Sequence, residues 1–351
     1  MKAVKIGVAA LLASVLALGG AAYAELNEEN ISLCQYGTGA DINKAIKAKK
    51  LNVNDKTPDG YTPIMYAAYN PDESAMTTLL KAKAQPNAAD ANGRTALMHA
   101  IENPTPNVKV IAALLHAQAK TNVKDKEGIT PLMLACQYAQ DTQIVDMLLK
   151  NKAPYDVADK NGYSPLIYAA YNTNADIVNA LIAKGARDTR KDSQGRNALF
   201  HAAANNTNPD VIYALLNSGT DTSVVDKKGR TPLLAAAATN PSWDVIYYLY
   251  EAGYDPFVVD KEGNTGLHLA AAYQTNATVF LNIYLFPNDD GSYAFNHSAK
   301  NKAGKTPAQL LKENPDLAND ATIQQVFHDE GMQNIHDTIG LFNTIRGIIG
   351  K

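Results

Sequence analysis

A motif close to Asp-x-x-Gly-x-Thr-Pro-Leu-x-x-Ala recurs along this chain of 351 residues and restricts its fold more than any other feature. The motif glycines are Gly60, Gly93, Gly128, Gly162, Gly195, Gly229, Gly263 and Gly304. The steps between them are 33, 35, 34, 33, 34, 34 and 41 residues. Self-similarity at this period indicates an array of stacked units, each of which buries its apolar face against its neighbours.

The unit around Gly229 shows how one copy of the motif directs local structure. Asp226 and Gly229 suit a tight turn, because glycine accepts positive φ and aspartate hydrogen-bonds to nearby backbone. Thr231 is expected to cap a short helix, with Pro232 at the first helical position, where no N–H is needed. Apolar residues at spacings of three and four then predict a second helix, which Gly253 ends.

Eight such copies in phase resemble the ankyrin repeat family. The matching segments are Thr62-Pro63-Ile64-Met65, Thr130-Pro131-Leu132-Met133, Ser164-Pro165-Leu166-Ile167, Thr231-Pro232-Leu233-Leu234 and Thr265-Gly266-Leu267-His268, with weaker copies from Thr95, Asn197 and Thr306. The resemblance implies an all-α-dominated solenoid of stacked helix pairs with projecting β-hairpins. It also implies a protein that binds other proteins and carries out no chemistry.

One departure from the family concerns the histidine of its Thr-Pro-Leu-His motif. Only His268 retains this histidine, and six other copies carry apolar residues there. Those residues are Met65, Met98, Met133, Ile167, Phe200 and Leu234. Apolar side chains at this position predict packing between repeats in place of the family's usual hydrogen bonds.

The N-terminus has the features of a secretory signal peptide. Lys2 and Lys5 precede an apolar run from Ile6 to Leu18, and Ala22-Tyr23-Ala24 suits cleavage after Ala24. The alternative is an uncleaved anchor. The signal predicts a periplasmic or secreted protein, of bacterial type. The predicted domains are the signal peptide 1–24, an N-terminal capping segment 25–54, about eight repeats with degenerate last copies over 55–327, and an amphipathic tail 328–351.

Composition and motifs argue against several classes of function. The net charge of −3, or −5 without the two lysines of the signal, offers no basic face to nucleic acid. No phosphate loop, nucleophile elbow or helical histidine pair is present, so we expect no catalytic residue, metal or cofactor. Cys34 falls in the N-terminal capping segment and Cys136 in the third repeat, too far apart for a disulfide bond between them to be expected. A reactive Cys34, or one that pairs between chains, is the alternative to a buried thiol there.

Tyrosines recur at positions expected on the concave, inner-helix side and at the tips. Tyrosine suits a contact surface because it is amphipathic and loses little entropy when immobilised. The predicted protein-binding surface comprises Tyr61, Tyr66, Tyr69, His99, Tyr163, Tyr168, Tyr171, His201 and Arg230. The alternative is that these rings only pack along their own helices.

The C-terminal tail carries an apolar stripe formed by Ile335, Ile339, Phe342, Ile345 and Ile349. It is expected to cap the last repeat, and contact with a partner or with a membrane are the alternatives. The main hypothesis is an exported, non-catalytic scaffold for a protein partner of unknown identity. The alternatives are an envelope or membrane-associated factor that works through the tail, and a binder that neutralises a toxin. The long last step also predicts an extended loop from Pro287 to Lys300.

Overall fold

A computed structural model describes residues 26–286 and 294–329, so the predicted signal peptide and nearly all of the predicted tail lie outside it. The described residues form helices in pairs, and each pair follows one copy of the motif except the first. The helices are α1 Glu28–Tyr36, α2 Gly39–Lys47, α3 Pro63–Ala67, α4 Glu73–Lys81, α5 Ala96–Glu102, α6 Val108–His116, α7 Pro131–Tyr138, α8 Gln143–Lys150, α9 Pro165–Ala169, α10 Ala175–Ala183, α11 Ala198–Asn205, α12 Pro209–Asn217, α13 Pro232–Thr239, α14 Trp243–Glu251, α15 Gly266–Tyr273, α16 Ala277–Leu285, α17 Pro307–Glu313 and α18 Ala321–Asp329.

The helices pack in two layers. Odd-numbered helices pack against the odd-numbered helices before and after them, and even-numbered helices do the same in the other layer. We call the odd-numbered helices inner and the even-numbered helices outer. A nearly continuous apolar core from Leu26 to Val326 lies between the layers. The segment predicted as an N-terminal cap is itself the pair α1 and α2, and the predicted boundary between residues 327 and 328 falls inside α18.

The motif residues act as the sequence predicts. Thr231 accepts a hydrogen bond from the backbone N–H of Leu234, and Pro232 is the first residue of α13. Gly162 has a φ of +88°, and a Cβ there would lie 3.0 Å from the Cα atom of Asp192 in the next repeat. Glycine is therefore required at this tip for both its conformation and its lack of a side chain.

The predicted β-hairpins are not formed in the described part of the chain. Across those residues the projecting tips are turns, and the one β-bridge is an isolated antiparallel pair between Ala89 and Thr95. The reason lies in the backbone groups of each tip. The tip aspartate accepts two N–H groups of its own turn, as Asp226 does from Lys228 and Arg230. The backbone N–H of Asp226 donates to the carbonyl of Arg230 and closes the tip, but the next backbone N–H, of Lys227, donates to Gln194 of the neighbouring tip, so the pairing does not extend into strands.

A ladder of buried amide side chains joins the inner helices. At the turn between the helices of most repeats, a side-chain amide donates to carbonyl groups at the end of the preceding inner helix. Asn240, for example, donates to the carbonyl oxygens of Ala203 and Asn206 at 2.8 Å. These carbonyls lack partners within their own helix, so the ladder satisfies them. Its members are Asn70, Asn103, Asn172, Asn206, Asn240, Gln274 and Asn314.

Apolar packing replaces the family histidine, as predicted, because the six substituted side chains are buried. His268 keeps hydrogen bonds to Thr265 and to the carbonyl of Lys305. The predicted extended loop, Pro287 to Lys300, is not fully extended in the part that the structure describes, residues 294–300. Phe295 is buried and its ring would lie 3.2 Å from a Cβ on Gly266, which explains glycine in place of the motif proline. Ala294 and Phe295 therefore pack back against the stack.

Candidate binding surface

The predicted tyrosines come from two short inner helices and the tips before them. Tyr66 lies in α3 and Tyr168 in α9, and Tyr69 and Tyr171 follow directly after these helices. The tyrosine rings of each group contact a histidine of the next inner helix, so each cluster bridges two consecutive repeats. We call them the first cluster (Tyr61, Tyr66, Tyr69, His99 and Asp90) and the second cluster (Tyr163, Tyr168, Tyr171, His201 and Asp192).

In the first cluster a buried histidine links a tyrosine to a carboxylate. The Tyr69 hydroxyl lies 3.0 Å from Nδ1 of His99, and Nε2 of His99 lies 3.0 Å from Oδ2 of Asp90. The ring of Tyr61, from the preceding tip, lies 4.9 Å from the imidazole and 5.4 Å from the ring of Tyr66. Polar and aromatic contacts together thus fix the orientation of Tyr69.

The second cluster repeats this arrangement. The Tyr171 hydroxyl lies 2.7 Å from Nδ1 of His201, whose Nε2 lies 2.9 Å from Oδ2 of Asp192. Tyr163 again packs on the imidazole at 4.9 Å. Tyr168 adds a hydrogen bond to Oδ2 of Asp159 at 2.9 Å.

The two clusters are the same constellation displaced by three repeats. Every residue of the second follows its counterpart in the first by 102 positions: Tyr61 and Tyr163, Tyr66 and Tyr168, Tyr69 and Tyr171, Asp90 and Asp192, His99 and His201. Packed helices lie about 8–10 Å apart, so three repeats place the clusters roughly 25–30 Å apart. The inner-helix face thus presents the same arrangement of side chains twice.

The histidines do not themselves lie on the surface, contrary to the sequence prediction. His99 is 3% exposed and His201 is fully buried, because tip tyrosines cover both rings. Tyr69 and Tyr171 remain 37% and 38% exposed, whereas Tyr168 is buried and Tyr61, Tyr66 and Tyr163 are half-buried. The histidines therefore position the exposed tyrosines instead of meeting a partner.

Burial shifts the pKa values of the histidines and exposed tyrosines in both clusters away from the range that suits proton transfer. It lowers the pKa of His99, and burial together with the nearby Arg196 lowers the pKa of His201 to about 4. Burial also raises the pKa of Tyr69 to about 12 and raises that of Tyr171. A general acid or base works best with a pKa near the working pH. At neutral pH the imidazoles are uncharged and the tyrosines keep their protons, which suits hydrogen bonding more than catalysis.

The structure does not place Arg230 with either cluster. Its guanidinium is held by Asp226 of its own tip, with Nε at 2.8 Å from Oδ2. Where a histidine would stand in this repeat, α13 has the buried Ala235. Arg230 is thus part of a tip that lacks the rest of the constellation.

A groove of about 290 Å³ lies on the inner-helix face beside the second cluster, three of whose tyrosines line it. Its lining residues are Arg94, Glu102, Ile129, Leu134, Gln137, Tyr138, Asp159, Asn161, Tyr163, Tyr168 and Tyr171. Sequence reasoning missed Tyr138, Asp90, Asp159 and Asp192. The motif identifies the aspartates only as turn residues, and Tyr138 lies one position further along its helix than Tyr69 and Tyr171 do, counted from the tip glycine.

The described residues show no reactive cysteine, metal cluster or membrane-spanning helix that would mark a second site. Cys34 and Cys136 are free thiols, both buried, and burial raises the pKa of Cys34 to about 12. Across residues 26–286 and 294–329, no cluster of three or more histidine, cysteine or acidic side chains could hold a metal ion. Over the same ranges, no helix has the length and apolar character needed to cross a membrane.

Comparison with known proteins agrees with the two-layered array. The family model for ankyrin repeats (3 copies) matches residues 27–125, 106–192 and 199–289. Among solved structures, the ankyrin repeat domain of Bcl-3, a member of the IkappaB protein family, is similar at 26% identity, with a TM-score of 0.51, covering 63% of this chain and 96% of that one. The human ASB11 ankyrin repeat domain is 22% identical, with a TM-score of 0.55 and coverages of 64% and 97%, and supports the fold alone. No curated protein matches the chain significantly.

Proposed function

The chain belongs to the ankyrin repeat family, and from that premise we propose that it is an exported scaffold that holds a protein partner on its inner-helix face and tips, without catalysis. Ankyrin repeats mediate protein–protein interactions and are generally non-catalytic scaffolds. Export and the choice of this particular surface belong to our proposal.

One observation carries the choice of surface. Tyr69 and Tyr171 are exposed aromatic residues whose hydroxyls are hydrogen-bonded to buried histidines, which are in turn hydrogen-bonded to buried carboxylates. A side chain already held in one orientation loses little further freedom when it meets a partner. Tyrosine is also among the residues that most often contribute large binding energies at interfaces. The clusters are therefore preorganised anchors.

Alanine substitution tests the surface. Tyr69→Ala and Tyr171→Ala should each weaken partner binding by about 1–2 kcal/mol, or roughly tenfold, if the rings are anchors. Tyr213→Ala is the matched control, because Tyr213 is 58% exposed but lies on the outer helix α12. Proteins captured from the native compartment by the mature chain and by Tyr213→Ala, but not by the double variant, would support the surface. Equal capture by the double variant would contradict it.

Export rests on the sequence of residues 1–24, in which a basic start, an apolar run and Ala22-Tyr23-Ala24 follow in the order of a cleavable signal. N-terminal sequencing of the secreted or periplasmic protein should then begin at Glu25. Recovery of the chain with Met1 in the membrane fraction would contradict cleavage while leaving the binding surface untouched.

A further inference from the structure

The hydrogen-bond direction of the exposed tyrosines follows from the carboxylates beneath them. A carboxylate can only accept, so the imidazole nitrogen that faces it, Nε2, carries the hydrogen. In a neutral imidazole the other nitrogen, Nδ1, is then an acceptor. Tyr69 and Tyr171 must therefore donate their hydroxyl hydrogens inward to Nδ1 of His99 and His201.

Tyr168 follows the same rule by a different contact, because it donates to Oδ2 of Asp159. The three hydroxyl hydrogens are thus all used within the protein. Toward solvent, the oxygens of Tyr69 and Tyr171 offer lone pairs and no hydrogen. This face therefore requires a partner that donates hydrogen bonds.

The charges around the groove have the matching sign. Arg94 is the one cation among the groove's lining residues, and it is already engaged. Its Nη1 lies 2.6 Å from Oε1 of Glu102, and its Nε lies 3.2 Å from Oδ2 of the buried Asp125. Arg196, whose Nη2 lies 3.5 Å from the hydroxyl of the lining residue Tyr163, is balanced by Asp192. With Arg94 balanced by two carboxylates, Asp159 leaves the groove with an excess of negative charge.

Aromatic rings complete the lining. Tyr138 is 53% exposed at the groove, beside Tyr163, Tyr168 and Tyr171. The face of a tyrosine ring attracts a cation within about 6 Å of its centroid. The rings, the outward lone pairs of Tyr171 and the net negative charge of this groove all favour a side chain that is cationic and rich in N–H donors.

We propose that this groove receives arginine or lysine side chains from a basic segment of the protein partner. An acidic segment would face carboxylates and lone pairs, and an apolar one would have to bury Asp159 and the Arg94 ion pairs without new partners. The proposal rests on the proposed function, since it names the chemistry of the partner that the inner-helix face holds.

The experiment uses the mature chain and two fluorescent peptides of equal length, one alternating glycine with arginine and the other glycine with glutamate. Binding is followed by anisotropy at low and at physiological ionic strength. Tyr138→Lys places a cation at the groove, and Tyr213→Lys makes the same change at a similarly exposed site on outer helix α12. A second variant, Tyr69→Phe with Tyr171→Phe, keeps the rings and removes the outward oxygens.

The arginine peptide should bind, and the glutamate peptide should not. Tyr138→Lys should weaken arginine-peptide binding at least tenfold, the double phenylalanine variant several-fold, and Tyr213→Lys less than twofold. Equal losses in the two lysine variants would overturn the proposal, because binding would then reflect only the net charge. Tighter binding of the glutamate peptide would also overturn it.

A separate arm distinguishes this proposal from the proposed function. If captured proteins depend on Tyr69 and Tyr171 but still bind after their lysines are acetylated and their arginines blocked, the scaffold function stands and the cationic partner is wrong. If captured proteins are indifferent to Tyr69 and Tyr171, the proposed binding surface itself fails.

Discussion

The two clusters share one geometry but differ in how they use their arginine. In the second cluster Arg196 pairs with the carboxylate that also holds His201, with Nε 2.8 Å from Oδ2 of Asp192. In the first, Arg94 turns away from Asp90 toward Glu102 and Asp125. The position of Glu102 is taken in the second cluster by Ala204, so Arg196 lacks the carboxylate that Arg94 contacts most closely.

The hydrogen-bond chain from tyrosine through histidine to aspartate survives this difference, because the turn and not the arginine fixes the aspartate. Oδ1 of Asp90 accepts the N–H groups of Asn92 and Arg94, and Oδ1 of Asp192 accepts those of Gln194 and Arg196. Each tip thereby aims Oδ2 at the histidine of its own inner helix. The hydrogen bonds that form each turn thus also support the proposed binding surface, and the arginine is free to vary.

Replacing the aspartates should reveal the largest difference in stability between the two clusters. Asp192→Ala leaves His201, two N–H groups and Arg196 without their buried acceptor, so it should lower the free energy of unfolding by about 3–5 kcal/mol. Asp90→Ala should cost less, about 2–3 kcal/mol, because Arg94 keeps its two carboxylates. Denaturant midpoints of the two variants measure the difference. Equal losses would mean that the arginine contributes nothing to this comparison.

Acid should destabilise the second cluster more than the first. The pKa of His201 falls from 6.5 to about 4 on folding, so the unfolded chain binds the proton first and stability declines as the pH drops below 6.5. At pH 5 the loss from this residue is about 2 kcal/mol. His201→Gln should remove that part of the pH dependence. His99→Gln should remove a smaller part, because Arg94 is drawn toward its two carboxylates and repels a charged imidazole less than Arg196 does.

The test is to measure the unfolding free energies of the wild-type chain and these variants at pH 7 and pH 5. An identical pH dependence in the wild-type chain and in His201→Gln would contradict a neutral, buried imidazole in the second cluster.

Loss of the tyrosine hydroxyls should have the smallest effect on stability, and the effect should be equal in the two clusters. Tyr69→Phe and Tyr171→Phe each leave one imidazole Nδ1 without a donor, at a cost of about 1 kcal/mol. Tyr213→Phe, on the outer layer, is the control and should leave the midpoint unchanged. A clearly larger loss in one cluster would show that the two hydroxyl contacts are not equivalent.

The sequence predicts the array well because each instruction is local. The turn at Gly229, the cap at Thr231 and the glycine after α14 all act within a few residues, and the structure confirms them. The hydrogen-bond chains escaped prediction because Tyr69 and His99 are 30 residues apart and meet only when repeats stack. Periodicity placed His99 and His201 on the correct helical face, but it could not show that tip tyrosines cover them.

The amide ladder described above has a gap, and the gap gives the array a mechanical weak point. The repeat of α7 and α8 carries Ala139 where its neighbours carry a side-chain amide, so α5 and α7 are joined without that staple. Under tension along the stack, this seam should yield before the others. The first cluster lies on one side of this seam between α5 and α7, and the second cluster lies on the other. A partner bound to both clusters would therefore resist opening of the seam and stiffen the solenoid where it is most compliant.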